Sequence, residues 1–369
     1  MNPFRYGCAV GGDHFCPRPK LERELRAFAS AGQNLVIQGD RRMGKTSLVK
    51  EAISRMRGER LVYIDLYCIH TLSDFCRRAL SGVSAASDKL PFLKRAMGFV
   101  NRLRPTLAFD SMSGAPVISI DARAAEEPDS LGAVMRMLER LGAEGKTCIV
   151  FDEFQDILDL PAADTILAEM RSTVQFQPDT PYFFMGSSRN DMMRIFDDSE
   201  SPFFKSALTF SVGEIDRDDF KVFLRHRFSV GGRKITETAL DAVLSFADSV
   251  SGDVQELCEA LWETTEDGAE INEGDIPRAL ELIFSREGQG YESQIKRITP
   301  LQFKVLRGLA ELSPKRIYSE EFMSHVQLTS TGSIRKALAR LVSERVIGSR
   351  GEDYRFANPF FREWLRRKL

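Results

Sequence analysis

Residues Leu35 to Ile53 read LVIQGDRRMGKTSLVKEAI. An apolar run leads into a glycine, four variable residues, a second glycine, then Lys45 and Thr46. The segment Gly39-Asp40-Arg41-Arg42-Met43-Gly44-Lys45-Thr46 fits G-x-x-x-x-G-K-[ST] at every fixed position. Asn34–Gln38 reads as a short buried strand, and Ser47–Arg57 as a helix with Leu48, Val49, Ala52 and Ile53 on its apolar face. A strand, a glycine-bracketed turn and a helix aim successive backbone N–H groups and the positive end of a helix dipole at one point, which suits a phosphate chain. Lys45 is then expected to reach β- and γ-phosphates, and the Thr46 hydroxyl to bind Mg²⁺. Arg41 and Arg42 stand too early in the loop to be the phosphate lysine. Three readings stay open for them: a lateral phosphate contact, a pairing with a carboxylate on another strand, or an exposed structural pair.

Hydrolysis needs a second, acidic element. In KTCIVFDEFQDIL, the run Thr147–Phe151 has the continuous apolar character of a parallel strand covered on both faces, and it ends in Asp152-Glu153. Asp152 is the expected Mg²⁺ holder, acting through the water shell of the ion. Glu153 is placed to orient or deprotonate a water attacking the γ-phosphate. The two stretches read as Walker A and Walker B elements, the two halves expected of a site that hydrolyses a nucleoside triphosphate.

Composition sets the outer limits. The chain has 369 residues and 43% apolar content, enough for two or three domains with real cores. No apolar run is long enough for a membrane span, and the start MNPFRYGCAV carries no cleavable apolar segment. None of the six cysteines forms a C-x-x-C pair, and the four histidines are scattered, so a reduced cytoplasmic protein without structural zinc is expected. Cys148 reads as a small buried hydrophobe in the Asp152 strand. Net charge is only −2, but unevenly spread: from Ile295 onward Lys and Arg outnumber Asp and Glu 16 to 7, against 35 to 46 in the remainder. A basic tail suggests either a polyanion partner or docking on the acidic body.

The chain pattern supplies the rest. Lys20–Ser30 reads as a helix before the first strand; Arg60–Ile69, Pro181–Ser188 and Ala207–Ile215 read as further buried strands; a helix opens at Thr71 or Ser73. Two alternating runs around Ser113-Gly114 read as a β-hairpin inserted at about 104–121. Five strands alternating with helices argue for an α/β fold with a parallel five-stranded sheet over residues 1–214. Residues 215–294 read as an all-helical lid containing DRDDFKVFLRHRF, TETALDAVLSFADSV and SGDVQELCEALWETTE. Residues 295–369 read as helix, helix, helix and a tight hairpin (Gly348–Phe356), the winged variant of a helix-turn-helix. Arg335, Lys336 and Arg340 fall on its recognition helix and Arg350 and Arg355 on its wing, which makes them the candidate contacts to double-stranded DNA.

Taken together, the sequence resembles the AAA+ superfamily of P-loop NTPases. It is most similar to the archaeal-type ATPases with a C-terminal winged helix, near the STAND signalling NTPases and the replication-initiator ATPases. GDRRMGKTSL resembles the family's phosphate loop, NPFRYGCAVGGDHFCPRPKLEREL its N-terminal box, and NPFFREWLRRKL its closing signature. The resemblance implies ATP as the nucleotide, with the Phe15–Arg18 segment near the adenine and Arg18 among the binding residues. No guanine-specific N-K-x-D stretch is present. The whole loop from Gly39 through Ser47 (Asp40, Arg41, Arg42, Met43, Gly44, Lys45 and Thr46 between them) is then nucleotide-binding. Ser187 or Ser188 matches the position that senses the γ-phosphate or its water. The resemblance also implies a finger acting in trans within a nucleotide-dependent homo-oligomer. SPFFKSA offers Lys205 there, a point charge without the bidentate fork of arginine, with Arg189 or Arg194 as nearby substitutes. SGDVQELCEAL has no lid arginine, and Val254 stands where relatives often have proline, so lid sensing is not expected. Two functions follow: an ATP-hydrolysing switch or motor with a DNA-binding winged helix, or a STAND-like regulator whose winged helix contacts protein and binds no nucleic acid.

Overall fold

The computed structural model describes residues 1–86, 90–109, 116–121, 124–126, 129–312, 317–350 and 353–368. Two compact units are present, Ala9–Glu214 and Ile215–Leu369, the latter together with Met1–Cys8.

In chain order the first unit contains α1 (Pro19–Ser30), β1 (Leu35–Gln38), α2 (Lys45–Ser54), β2 (Arg60–Asp65), α3 (Leu72–Ala85), α4 (Leu90–Phe99), β3 (Thr106–Phe109), β4 (Pro116–Ser119), α5 (Ser130–Ala143), β5 (Thr147–Asp152), α6 (Ala163–Val174), β6 (Tyr182–Gly186), α7 (Arg189–Phe196) and β7 (Leu208–Ser211). Five strands form one parallel sheet in the order β2-β5-β6-β1-β7. The period-two alternation of strand side chains sorts the apolar residues into two layers. Val36, Ile149, Phe151, Tyr182 and Phe184 enter one core; Leu35, Ile37, Cys148, Val150, Phe183 and Met185 enter the other. Both faces are covered, which explains why every residue of β5 is buried and why its sequence shows no polar alternation.

The first of these layers is rich in rings. Phe151, Tyr182 and Phe184 lie side by side across β5 and β6 with near-parallel planes, and Phe154, Phe196 and Phe203 close over Phe184. Phe184→Ala is expected to cost roughly 3–5 kcal/mol of stability, because the surrounding rings cannot collapse into the void. Urea denaturation of the variant beside wild type measures it; a loss below about 1 kcal/mol would mean the ring cluster relaxes freely.

Several boundaries differ from the sequence reading. Gly44 adopts φ 81 and ends the loop, so α2 starts at Lys45 and ends at Ser54, where the apolar spacing predicts Ser47–Arg57. Lys45 and Thr46 therefore belong to its first turn. Thr71, not Ser73, caps α3, in a reciprocal capping box with Asp74. Helices α4 and α6 go beyond the sequence reading; α6 opens at a left-handed Ala162 without a side-chain cap and so lacks the usual start signal. The expected hairpin is β3–β4, antiparallel, with Ser84 Oγ accepting from Ile118 N at 3.1 Å; its Ser113-Gly114 turn lies outside the described residues.

The second unit is mainly helical: α8 (Arg217–Val230), β8 (Lys234–Ile235), α9 (Glu237–Phe246), α10 (Ser251–Thr264), β9 (Glu270–Ile271), α11 (Ile276–Arg297), α12 (Pro300–Leu312), α13 (Glu320–His325), α14 (Thr331–Ser343), the hairpin β10 (Ile347–Arg350) and β11 (Asp353–Phe356), and α15 (Pro359–Lys368). A two-residue parallel bridge, β8–β9, interrupts the helical pattern. α11 runs through residues 294 and 295, where the sequence reading ends the lid. Phe360 packs on Phe246 of α9, and Phe361 and Trp364 pack on Tyr291 of α11. Residues 1–8 join this unit: Phe4 lies 4.5 Å from Phe228 between ring centroids, and Pro3 O accepts from Arg227 Nη2 at 2.6 Å.

Candidate active site

Parallel sheets gather their chemistry at the carboxyl ends of the strands. Here the loop after β1 meets the ends of β5 and β6. The loop's two fixed glycines have different physical reasons. A Cβ on Gly39 would stand 2.4 Å from Val212 O, so the backbone approach there excludes any side chain. Gly44 occupies the left-handed region, which other residues enter at a cost of roughly 1 kcal/mol. Arg42 is also left-handed, at φ 63, so the turn holds one strained residue as well as a glycine.

Lys45 is only 6% exposed, and its Nζ donates to Gly39 O at 2.7 Å and Asp40 O at 3.0 Å, bracing the loop across its own mouth. Burial lowers its pKa, opposed by Glu153, Asp152 and Asp40. Thr46 Oγ1 donates to Asp152 Oδ2 at 2.8 Å, which ties α2 to β5. Ser47 Oγ accepts from Val10 N at 3.0 Å. Arg18 is buried and bound to backbone, donating to Met43 O and Gly213 O, each at 2.9 Å. It therefore braces the segment that carries the loop.

The β5 end is a network. Asp152 Oδ2 accepts from Thr46 and also from the Tyr63 hydroxyl, while Oδ1 accepts from Glu153 N at 2.9 Å. Burial raises the Asp152 pKa, and the bonds from Tyr63 and Thr46 offset it only in part. Glu153 is left-handed, at φ 49, which swings its side chain out of the strand alternation. Its Oε2 accepts from Ser187 Oγ at 2.7 Å and from Gln155 Nε2 at 2.6 Å. Burial works against its charge, yet the bonds from Ser187 and Gln155, with Lys45 and Arg41 nearby, hold the carboxyl below its usual range. Of the two serines at the end of β6, Ser187 enters this network; Ser188 turns to Asp191.

Arg41 answers the question its position raised. Its Nε donates to Ser187 Oγ at 3.3 Å, and its guanidinium lies 5.6 Å from the Tyr67 ring centroid. The loop arginine thus reaches the Glu153 carboxylate, just past β5, through one hydroxyl.

Two members of the network escape the sequence reading. Tyr63 carries a usable signal, since a tyrosine inside a buried strand needs a partner for its hydroxyl. Gln155 carries none, because the left-handed turn at Glu153 that brings residues 153 and 155 together is not written in the residue types.

Other expected residues lie elsewhere. Arg189, at the start of α7, and Arg194 are exposed, and Lys205, also exposed, lies over the Phe204 ring at 5.1 Å. On α14, Arg335 and Lys336 are exposed, while the exposed Arg340 pairs with Glu344 at 2.7 Å. Arg355 is exposed on β11; the Arg350 side chain lies outside the described residues. Among the described residues no His/Cys/Asp/Glu cluster of metal-binding form occurs, and no helix is long and apolar enough to cross a membrane.

Comparison with known proteins places the fold. Residues 289–367 match the family model described as "Probable winged helix domain". No curated protein matches the sequence. Among solved structures, the chain is similar to a Walker-type ATPase of Pyrococcus abyssi, with a TM-score of 0.70 and 20% identity over 99% of both chains. It is also similar to the ORC1 protein of Aeropyrum pernix, solved in complex with DNA (TM-score 0.53, 13% identity, 97% of this chain and 94% of that one). The ORC2 protein of the same organism, in ADPNP–ADP complexes, gives a TM-score of 0.52 and 13% identity over 95% and 93%. The fold is that of the AAA+ P-loop ATPases, with a five-stranded parallel sheet, a helical region and a C-terminal winged helix.

Proposed function

We propose that the chain binds and hydrolyses ATP as a nucleotide-dependent switch or motor, and that its winged helix binds double-stranded DNA. One observation carries the hydrolysis: Lys45, Thr46, Asp152 and Glu153 converge from α2 and β5, with Thr46 and Asp152 joined at 2.8 Å. Backbone N–H groups at the start of α2 and the Lys45 ammonium would hold the phosphates, once Nζ exchanges its loop carbonyls for phosphate oxygens. Thr46 Oγ1 and Asp152 Oδ2 are hard oxygens side by side, a pair that fits Mg²⁺ held by the hydroxyl and, through its water shell, by the carboxylate. The ion, when bound, neutralises charge developing on the β- and γ-phosphate oxygens. Glu153, held ionised, takes a proton from the attacking water, and Ser187 steadies the carboxylate. Adenine is favoured by the family resemblance. Phosphate release by the purified chain with Mg·ATP, and its loss in EDTA, tests this reading; absence of turnover under both conditions refutes it.

The DNA half rests on the exposed Arg335 and Lys336 of α14. Neutralising Arg335, Lys336 and Arg340 together is expected to weaken duplex binding for every sequence. The salt slope is expected to flatten by roughly 0.9 for each DNA phosphate that is no longer neutralised. Folding is expected to change little, since exposed charges contribute little to stability. Anisotropy titrations against salt measure it, and absence of wild-type binding at low salt would remove DNA as the partner.

A second reading has its own support. Part of the tail's positive charge is spent inside its own unit: Arg367 pairs with Glu281 at 2.6 Å, Lys368 with Glu292 at 2.8 Å, and Arg340 with Glu344. A STAND-like regulator with a protein-binding winged helix needs no free basic face. Arg189, exposed at the start of α7 just after β6, and Lys205, exposed just before β7, would suit a contact to a neighbouring copy in a nucleotide-dependent homo-oligomer.

A further inference from the structure

The general base of the proposed reaction is held by more than its sensor serine. Gln155 is 4% exposed and follows Glu153 in the short helical segment Phe154–Asp159. Its amide nitrogen donates to two carboxylates at once, Glu153 Oε2 at 2.6 Å and Asp156 Oδ1 at 2.8 Å. Asp156 is itself anchored, its Oδ2 accepting from Cys68 N at 2.9 Å in the turn after β2. Among the described residues the Gln155 carbonyl oxygen has no partner, and a Cβ on Gly186 would stand 2.7 Å from it. A buried unpaired carbonyl costs about 1–3 kcal/mol. Turning the amide over would set that oxygen against two carboxylates, which is worse. The orientation is therefore fixed, with both donors committed.

The consequence lies on Glu153. Its two side-chain bonds, from Ser187 and Gln155, both fall on Oε2. Among the described residues nothing bonds Oε1. A carboxylate pinned through one oxygen presents the other in a defined direction, and the left-handed backbone at Glu153 persists only because its surroundings over-determine it. We infer that Gln155 is a positioning residue: with Ser187 it locks Oε2 of Glu153 and so presents Oε1 as the oxygen that receives the proton of the attacking water. The chain Cys68 N, Asp156, Gln155, Glu153 carries this hold from the β2 end of the sheet. A carboxylate at 155 would repel both neighbours, a hydroxyl is too short to reach two, and an ammonium would neutralise the base.

This inference rests on the proposed ATPase reading, and its test separates the two. Gln155→Met keeps length and volume without the donors; Gln155→Glu keeps shape and reverses the interaction. Both are compared with wild type in the full chain, alone and combined with Glu153→Gln. With Mg·ATP, each single variant is expected to lower kcat roughly tenfold, the worth of one charge-assisted hydrogen bond, with ATP affinity unchanged. In the Glu153→Gln background the Gln155 change is expected to have no further effect on kcat, because there is no base left to aim. Equal losses in both backgrounds would make Gln155 merely structural and overturn the proposal, as would unchanged kcat. A second measurement needs no nucleotide: Gln155→Met is expected to lower Tm more beside Glu153 than beside Gln at that position. An equal fall in both backgrounds overturns the coupling itself. A wild-type chain that hydrolyses no ATP refutes the proposed function, while the nucleotide-free cycle still reads the Gln155–Glu153 bond.

Discussion

Lys45→Ala is expected to weaken nucleotide binding by at least about a hundredfold. The ammonium is the buried cation of the loop, since Arg41 and Arg42 are exposed. It already sits on two carbonyl oxygens at 2.7 and 3.0 Å, poised to exchange them for phosphate oxygens. Hydrogen bonds to charged groups contribute about 1.5–3 kcal/mol each, and two such contacts account for roughly a factor of 10² or more. Burial lowers the Lys45 pKa, so the charge is costly to hold there, and Glu153, Asp152 and Asp40 stabilise it. A triphosphate would strengthen that stabilisation, which is the physical reason the residue favours an anion. Removing it leaves two loop carbonyls without their brace, so the variant's loop is also expected to be looser. Titration with a fluorescent ATP analogue measures the affinity. The rise of Tm with added ATP gives an independent reading, since a ligand stabilises only the state it binds. Wild-type affinity in the variant would place the nucleotide elsewhere on the chain.

The parts of this picture that the sequence carries are those enforced by local rules. The loop's glycines are dictated by one backbone approach and one left-handed residue, so their spacing is visible in the residues themselves. Buried parallel strands must be apolar on both faces, so β5 and β6 stand out as unbroken runs. Asp152 follows from being the first polar residue after such a run. What stays hidden depends on how distant segments meet. Tyr63 reaches Asp152 because β2 lies beside β5, in a register that pairs Asp65 with Asp152. Arg41 reaches Glu153 only through Ser187, which β6 brings alongside. The resemblance implies Arg18 at the adenine, yet its guanidinium is bound to two carbonyls of the surrounding backbone, a role no spacing announces. Residues 1–8 join the second unit through Pro3 and Phe4, and an eight-residue segment offers no periodicity from which to read that.

Glu153→Gln is expected to leave Mg·ATP bound and to slow hydrolysis by a factor of roughly 10²–10⁴, the usual contribution of a positioned general base. The substitution is nearly isosteric. A glutamine carbonyl at 153 can still accept from Ser187 and Gln155, so the turn at φ 49 and the packing of Phe154 beneath it are expected to survive. What is lost is an ionised oxygen able to take a proton. The carboxyl is held below its usual range despite burial, so near neutral pH it is present as the base and its replacement is felt in full. Thr46, Asp152 and Lys45 are untouched, which is why binding and chemistry should separate. Asp152→Ala, by contrast, removes an oxygen donor beside Thr46 and is expected to weaken metal-dependent binding itself. Single-turnover phosphate release, run beside ATP affinity in the same buffer, distinguishes the two variants. Turnover near wild type in Glu153→Gln would take the base role away from Glu153 and leave the water to be oriented by Ser187 and the loop alone.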